Sequence, residues 1–169
     1  MGSESSTAAS VRRAGPDDAG ELASLINRAY EVERFFVEGE RTDAAEVARL
    51  CDQGHFLALG DGTAGGELVA AVFVRADGTR GSIAMLSVAP EHQGQGLGKR
   101  LVAVAEAWCA AMGCDAMTLE VVNLRSELEA WYKSLGYRVI GTAPYTHEGA
   151  IRACHFLRME KSLHESLAA

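Results

Sequence analysis

Apolar residues recur every three or four positions in several parts of the chain, which is the spacing of one helix face. The most regular series predicts a helix of about four turns that Gly113 ends. Its members are Leu97, Leu101, Val104, Trp108 and Met112. Shorter series predict helices from residue 16 to about residue 32, from residue 42 or 43 to residue 54, and from residue 126 to residue 136. The apolar faces of these helices are expected to lie in the core.

Between the helices, short runs rich in apolar and β-branched residues predict strands. These runs cover residues 11–14, 55–59, 68–74, 82–88, 117–122, 137–142 and 154–159. A glycine-rich stretch separates the second run from the third, which favours an antiparallel pair joined by a loose turn. The predicted order is strand, two helices, three strands, helix, strand, helix and two strands. This order indicates a mixed α/β (α+β) protein.

Two of the predicted helices begin with a capping box, in which an N-cap side chain and an acidic residue three positions later bond each other's backbone N–H groups. One box is Asp43 with Glu46, and the other is Ser126 with Glu129. The stretch from Glu33 to Arg41 has no apolar period and predicts a loop.

The length and composition are those of one folded domain. The chain has 169 residues, of which 48% are hydrophobic and 23% are charged, a balance that can bury a sizeable core. We expect residues 1–10 to form a flexible N-terminal tail, residues 11–163 the domain, and residues 164–169 a C-terminal tail.

The charge balance excludes some partners. The net charge of −7 argues against nucleic-acid binding, which Lys and Arg on phosphate drive, and it favours a cationic or amine substrate. The longest apolar run, Leu68 to Val74, is much shorter than the roughly 20 residues of a membrane span, so no membrane is expected as a partner. The cysteines form no C-x-x-C pair and have no histidine at zinc-ligand spacing, which predicts no metal site. With no signal-peptide pattern in residues 1–10, we expect a cytoplasmic protein with reduced thiols.

A glycine-rich segment lies between a predicted strand and the most regular helix. It reads Gln93-Gly94-Gln95-Gly96-Leu97-Gly98-Lys99. Glycines let backbone N–H groups converge, and a helix start adds about half a positive charge, so the segment can cradle a phosphate. It is not a P-loop, because Arg100 stands where that motif needs Ser or Thr. It is not a dinucleotide fingerprint, because Lys99 stands in place of the third glycine.

The segment resembles the signature of the N-acetyltransferase superfamily known as GNAT, [QR]-x-x-G-x-[GA], which here is Gln93-x-x-Gly96-x-Gly98. A second block is also similar to that family, namely Asn123 followed by Trp131-Tyr132-Lys133-Ser134-Leu135-Gly136-Tyr137. The likeness extends to the order of elements over roughly residues 11–163. It implies a largely antiparallel central sheet of about seven strands, about four flanking helices and two central parallel strands that splay apart.

The resemblance implies acetyl-CoA, or coenzyme A, as the cofactor. Backbone N–H groups from Gln93 to Gly98 would hold its pyrophosphate, and Lys99 lies near enough to meet other phosphates. Backbone groups of Leu86 and Val88 would receive the pantetheine arm and the acetyl carbonyl, and Asn123 would contact the pantetheine side. For Lys99 a solvated helix face is the alternative, and for Asn123 a turn residue is the alternative.

Acetyl transfer to an amine needs a group that removes a proton. An alkylamine has a pKa of about 10.4, so its deprotonation at pH 7 costs about 4.6 kcal/mol. Glu120, at the centre of an apolar strand, is the predicted base, with a solvated strand face as the alternative. The family often carries a glutamate on the earlier strand, but residues 82–88 hold none, so His147, Glu148 and His155 stay alternatives.

Tyr132 matches the family tyrosine that faces the coenzyme sulfur. A phenol with a pKa of about 10 is a weaker acid than a thiol at about 8.5, so we expect a hydrogen bond to the departing sulfur rather than full proton transfer. Packing on the Leu128 and Leu135 face is the alternative.

The resemblance therefore predicts an N-acetyltransferase that moves an acetyl group from acetyl-CoA to a primary amine by direct attack in a ternary complex. A non-catalytic acyl-CoA-binding regulatory module is the alternative. We expect the acceptor to be a small-molecule or peptide amine, and the chain to be a monomer or a homodimer. Candidate pocket walls are the aromatic and acidic residues of two loops, Tyr30, Phe35, Phe36, Glu38, Tyr145, His147 and Glu148.

Overall fold

A computed structural model describes residues 10–63 and 66–164. Except for residues 10 and 164, the predicted tails lie outside the described residues. The described strands form a seven-stranded sheet in the order β1-β2-β3-β4-β5-β7-β6. They are β1 (Arg12–Ala14), β2 (His55–Gly60), β3 (Leu68–Asp77), β4 (Arg80–Val88), β5 (Ala116–Val122), β6 (Arg138–Pro144) and β7 (His155–Ser162).

Among the described strands, β4 and β5 are the one parallel pair, and the other neighbours are antiparallel. The described α-helices are α1 (Ala19–Ala29), α2 (Ala44–Leu50), α3 (Leu97–Ala111) and α4 (Ser126–Ser134). Short 3-10 helices cover Pro16–Asp18, Tyr30–Phe35 and Pro90–His92. This architecture confirms the predicted fold class of a largely antiparallel sheet with flanking helices and two central parallel strands.

Two helix boundaries differ from the prediction. The first α-helix ends at Ala29, and Tyr30–Phe35 continues as a 3-10 helix where a loop was expected from residue 33. This tighter winding, common at helix ends, buries the side chain of Glu33. The second α-helix ends at Leu50 instead of residue 54, because backbone N–H groups of residues 52 and 53 bond three residues back and form turns.

One predicted capping box is wrong. At α4 the N-cap residue is Arg125, whose side chain makes no cap bond, and Ser126 is already the first helical residue. Glu129 bonds Lys133 one turn further on instead of reaching back, with 2.6 Å between carboxylate and ammonium. The box at α2 forms only in part. The Asp43 side chain accepts from the backbone N–H of residue 46 at 2.8 Å, but the Glu46 carboxylate accepts from the Thr42 hydroxyl at 2.8 Å instead of from the Asp43 N–H.

The two faces of the sheet have separate cores. Helices α3 and α4 cover one face, where Leu119 and Val121 of β5 pack with Leu101 of α3. Helices α1 and α2 cover the other face over β2, β3 and β4. From Ala70 to Val74, the residues of β3 alternate between the two cores, as the period of a strand requires.

A third, smaller core closes the part of the sheet that α1 leaves free. Phe36, Val122 and Phe156 form it, and all three side chains are buried. Backbone hydrogen bonds join its segment to the β6–β7 connection, from Ile151 N–H to the Phe36 carbonyl at 2.8 Å and from Glu38 N–H to the Gly149 carbonyl at 2.8 Å. The 3-10 helix Tyr30–Phe35 is therefore fixed beside the open part of the sheet.

Candidate functional site

The parallel strands β4 and β5 pair only at their beginnings. Their register covers residues 80–82 of β4 and 116–118 of β5, although both strands continue further. Past these residues the facing edges of the strands diverge. The result is a gap in the middle of the sheet.

A β-bulge turns β4 away from β5. Ala71 pairs with Ser87 and Phe73 with Ala84, so β4 has one more residue than β3 over this interval. Met85 lies in the bulge with φ of 55°, and it is the one non-glycine residue with a positive φ in the described part of the chain. The Ser87 hydroxyl donates to the Met85 carbonyl at 2.9 Å. Bulges bend a strand and increase its twist, and this bulge lies in the part of β4 that no longer pairs with β5.

A cavity of about 390 Å³, the central cleft, occupies the gap. Its walls include residues 82–86 of β4 and 118–122 of β5. Leu128 and Tyr132 of α4 and the 3-10 helix residues Tyr30 and Glu33 also line it. The cleft therefore joins both faces of the sheet to the segment that follows α1.

The glycine segment predicted to cradle a phosphate, called the cradle below, forms a loop after β4 that leads into α3. Gly94 and Gly96 have φ of 79° and 78°, and Gly96 is the N-cap residue of α3. Among the described residues, the backbone N–H groups of residues 94–99 have no acceptor, and the first helical bond runs from Arg100 N–H to the Gly96 carbonyl at 3.1 Å. Free N–H groups at a helix start bind anions.

A second cavity of about 540 Å³, the cradle groove, runs from this loop along α4. Gln93, Gly94, Gly96, Leu97, Gly98 and Lys99 line it together with Leu86, Val88 and Trp131. Gln95 is not part of its lining. Leu86 and Leu128 line both this groove and the central cleft, so the two cavities adjoin.

Tyr132 lies at the inner end of α4 and is only 6% exposed. Its ring packs edge-on against Trp131 at 4.9 Å and Tyr137 at 5.7 Å between ring centroids. Burial raises the pKa of the Tyr132 hydroxyl, so the phenol stays neutral at physiological pH. The hydroxyl makes no hydrogen bond to a described residue and can donate one in the central cleft.

Glu120 lines the central cleft, and Asn123 does not. In β5, Glu120 alternates with the core residues Leu119 and Val121 and shares a sheet face with Val122. The Glu120 side chain is exposed to the cleft. Asn123 lies outside all three cavities, and its side-chain oxygen accepts from the His155 backbone N–H at 2.8 Å.

An ion pair of low exposure beside the cleft, between Glu33 and Arg125, was not predicted from the sequence. Glu33, 6% exposed, accepts a hydrogen bond from Arg125 Nη1 at 2.8 Å on its Oε2 atom. The two residues are 92 positions apart, and each lies in a stretch with several charges. No local sequence spacing therefore indicated that Glu33 and Arg125 would pair.

A third cavity of about 350 Å³, the acidic cavity, adjoins the central cleft. The two share Tyr30, Glu33, Arg41 and residues 145–147. Glutamates outnumber arginines in its lining, which includes Glu31, Glu33, Glu40, Glu46 and Glu148 against Arg34 and Arg41. Of the expected pocket walls, Tyr30, Tyr145, His147 and Glu148 line it, whereas Phe35, Phe36 and Glu38 line none of the three cavities.

Comparison with known proteins decides the family. Residues 21–158 match the model of the acetyltransferase (GNAT) family. The chain belongs to the GNAT acetyltransferase family. The expected resemblance is confirmed over most of the chain, and the adjacent parallel strands β4 and β5 carry the family's central feature.

Solved GNAT structures have the same fold at low sequence identity. The ribosomal-protein-S18-alanine N-acetyltransferase from Escherichia coli is 18% identical, with a TM-score of 0.73 over 91% of this chain and 93% of that one. Nourseothricin acetyltransferase is 19% identical, with a TM-score of 0.71 over 93% and 99%. A GNAT acetyltransferase from Staphylococcus aureus Mu50 is 16% identical, with a TM-score of 0.74 over 92% and 99%. No curated protein is significantly similar to the chain in sequence.

Two further observations concern other kinds of site. In residues 10–63 and 66–164, no helix has both the length and the apolarity that crossing a bilayer requires. Within the same residues, no three His, Cys, Asp or Glu side chains gather where they could hold a metal ion.

Proposed function

We propose that this GNAT protein transfers an acetyl group from acetyl-CoA to a primary amine, by direct attack of the amine in a ternary complex. The observation that carries the proposal is the run of unpaired backbone N–H groups in residues 94–99, at the mouth of a groove that adjoins the gap between β4 and β5. The cradle can hold a diphosphate, and the groove can direct an attached arm into the gap.

The residues of the groove fit coenzyme A. The N–H groups of the cradle and the start of α3 would hold the pyrophosphate, with the Lys99 ammonium beside it. Leu86 and Val88, at the diverging edge of β4, would bond the pantetheine arm and the acetyl carbonyl through their backbone. Bound acetyl-CoA supplies an activated thioester, so no acyl group on a cysteine is needed. The Asn123 side-chain oxygen already accepts a hydrogen bond from the His155 backbone N–H. Asn123 would therefore contact the pantetheine arm from its position just after β5, with its other polar atoms.

The chemistry requires two protons to leave the acceptor nitrogen. One leaves the ammonium before attack, the other leaves the nitrogen after the C–N bond forms, and one proton ends on the coenzyme sulfur as the C–S bond breaks. Glu120 lies in the cleft as a carboxylate that can accept a proton from this nitrogen. The neutral Tyr132 hydroxyl would donate a hydrogen bond to the departing sulfur, since its raised pKa opposes full proton transfer.

The acceptor enters on the acidic side of the cleft in this proposal. The excess of glutamates in the acidic cavity attracts an ammonium group and repels a polyanion, so cofactor and acceptor have different entrances. Among the structural neighbours, one is by name a ribosomal-protein alanine acetyltransferase and another a nourseothricin acetyltransferase. A peptide amine and a small-molecule amine therefore both stay within the proposal.

Binding of coenzyme A is the first test. A ligand at about 100 times its dissociation constant stabilises the folded state by about 2.7 kcal/mol, so acetyl-CoA should raise the Tm by about 5 °C or more. Thermal unfolding with and without acetyl-CoA measures this shift. Pantetheine, which carries no phosphate, serves as the control that lacks the diphosphate. No stabilisation by saturating acetyl-CoA would refute the proposal. If acetyl-CoA stabilises the protein but no amine of a broad panel causes release of the coenzyme A thiol, the regulatory module would be favoured.

Gly96→Val tests the cradle. The positive φ of Gly96 disfavours a β-branched residue by about 1–2 kcal/mol, so the loop should rearrange and the affinity for coenzyme A should fall at least tenfold. Gly113→Val is the matched control, because Gly113 follows the other end of α3 with φ of 92° and open space around it. Both variants should lose stability, and titration calorimetry should show weaker binding for Gly96→Val alone. Equal affinities in the two variants would count against the cradle.

Tyr132→Phe tests the hydrogen bond to sulfur. A hydrogen bond to a charged group contributes about 1.5–3 kcal/mol, so kcat should fall about 10- to 100-fold with little change in affinity for coenzyme A. Tyr137→Phe is the control, because its hydroxyl bonds Glu106 at 2.8 Å outside the three cavities. That variant should lose stability and keep its turnover. An unchanged kcat in Tyr132→Phe would remove this hydroxyl from the chemistry.

Glu120→Gln tests the proposed base on β5. General-base catalysis contributes about 10²-fold or more, so kcat/KM for the amine should fall by at least that factor while coenzyme A still binds. Glu160→Gln removes the same charge from the neighbouring strand β7, outside the three cavities, and should keep its turnover. Steady-state thiol release measures both variants, and equal rates for the two would exclude Glu120.

A further inference from the structure

Glu33 is the one carboxylate in the described chain that the fold buries. The only other buried polar residues there, Thr42 and Ser87, are uncharged and have hydrogen-bond partners for their hydroxyl groups. An ion pair moved out of water gains little stability over apolar residues of the same size, so structural need explains this carboxylate poorly. Glu33 lines two cavities, which points to a role in the reaction rather than in stability.

The Glu33 carboxylate lies where the acidic cavity meets the central cleft, and it lines both. Arg125 Nη1 holds its Oε2 atom at 2.8 Å. The Oε1 atom accepts no hydrogen bond from a described residue, and it does not belong to the buried polar atoms that lack a partner. Oε1 is therefore accessible from the cavities and can accept a proton there.

The groups around Glu33 set its basicity. Burial raises the pKa of its carboxyl, and the positive charge of Arg125 only partly offsets that effect. Arg41, before α2, lowers the pKa further, and Glu127 of α4 raises it. Electrostatic interaction also couples Glu33 to three neutral acids, namely Tyr30 on its own 3-10 helix and Tyr145 and Cys154 in the β6–β7 connection. A carboxylate with a raised pKa is a better base at neutral pH than an exposed one.

We propose that Glu33 is a catalytic base that removes the first proton from the acceptor ammonium, and that Arg125 is the positioning residue that orients it. The inference rests on the proposed acetyl transfer. A proton moves from the ammonium nitrogen to Glu33 Oε1, directly or through one water, and leaves the amine neutral. The neutral amine then attacks the thioester carbon, Glu120 takes the second proton from nitrogen, and the C–S bond breaks. The departing sulfur takes up one proton, so coenzyme A leaves as the thiol. The acidic cavity connects protonated Glu33 to solvent, where its proton is released.

Replacing the carboxylate by the isosteric amide tests the base. Glu33→Gln should lower kcat/KM for the amine by about 10² or more, while affinity for acetyl-CoA changes little. Its Tm should fall, because Arg125 loses its charged partner in a site of low exposure. Glu38→Gln is the matched control, because it removes the same charge five residues away and outside the three cavities. Glu33→Asp keeps a carboxylate on a shorter side chain and should recover part of the rate. Equal kcat/KM in Glu33→Gln and Glu38→Gln would overturn the inference.

The pH profile separates chemistry from a structural role. The base acts when it is ionised, so kcat/KM falls as pH drops through the pKa of Glu33. Arg125 lowers this pKa, so Arg125→Gln should move the acidic limb of kcat/KM to higher pH, by about one pH unit or more. In the double variant Glu33→Gln with Arg125→Gln, this limb should be absent. A lower rate in Arg125→Gln with the limb unmoved would overturn the positioning role.

The unaltered chain distinguishes the two proposals. If it binds acetyl-CoA and acetylates an amine, but Glu33→Gln does so equally well, this inference fails and the proposed function stands. If it acetylates no amine, the proposed function fails and this inference fails with it. Should Arg125→Gln not fold, the comparison of Glu33→Gln with Glu33→Asp still decides the role of the carboxylate.

Discussion

The loss of pairing between β4 and β5 is the constraint on which the site depends. Buried backbone N–H and C=O groups need partners, and a sheet normally supplies them from the adjacent strand. Between β4 and β5 this supply ends after Ser82 and Thr118, in the middle of the sheet, and the bulge at Met85 bends β4 beyond that point. A ligand that brings its own amide groups can replace the missing strand partner. The same break makes room for the central cleft, which side chains of α4 and of the segment after α1 close.

The chain order then brings the other parts of the site to this gap. The cradle follows β4 directly, and α3 begins from it, so the positive end of the helix lies at the carboxyl end of the strand. Crossover from β4 through α3 to β5 requires a helix on one face of the sheet. Helix α4, which follows β5, places Tyr132 in the cleft and Trp131 in the groove. The cradle and the central cleft are thus built around the unit β4–α3–β5 and the helix that follows it.

The sequence predicted those parts whose determinants are contiguous. The segment from Gln93 to Lys99 could be recognised from its place between a strand and a helix, together with the block from Trp131 to Tyr137. The apolar period predicted α3 to within a residue of its observed end at Ala111. The 3-10 helix Tyr30–Phe35 was missed because its burial depends on contacts with distant chain segments. The Glu33–Arg125 pair was missed for the same reason, since 92 residues separate its members. At Ser126 the local pattern was misleading, because Glu129 has a nearer partner in Lys133.

Opposite charges in the two outer cavities account for the place of Glu33. The proposed reaction joins a polyanionic cofactor with a cationic amine, and an ammonium is no nucleophile until it loses a proton. The cradle groove offers N–H groups and Lys99, whereas the acidic cavity offers glutamates, so each substrate is attracted by a different side of the protein. A base deep in the cleft would have to draw the charged ammonium out of the acidic cavity, at a desolvation cost. A base at the border removes the charge first, so that a neutral amine enters the drier cleft. Glu33 has this position, and Arg125 holds its carboxylate and partly offsets the rise in its pKa that burial causes.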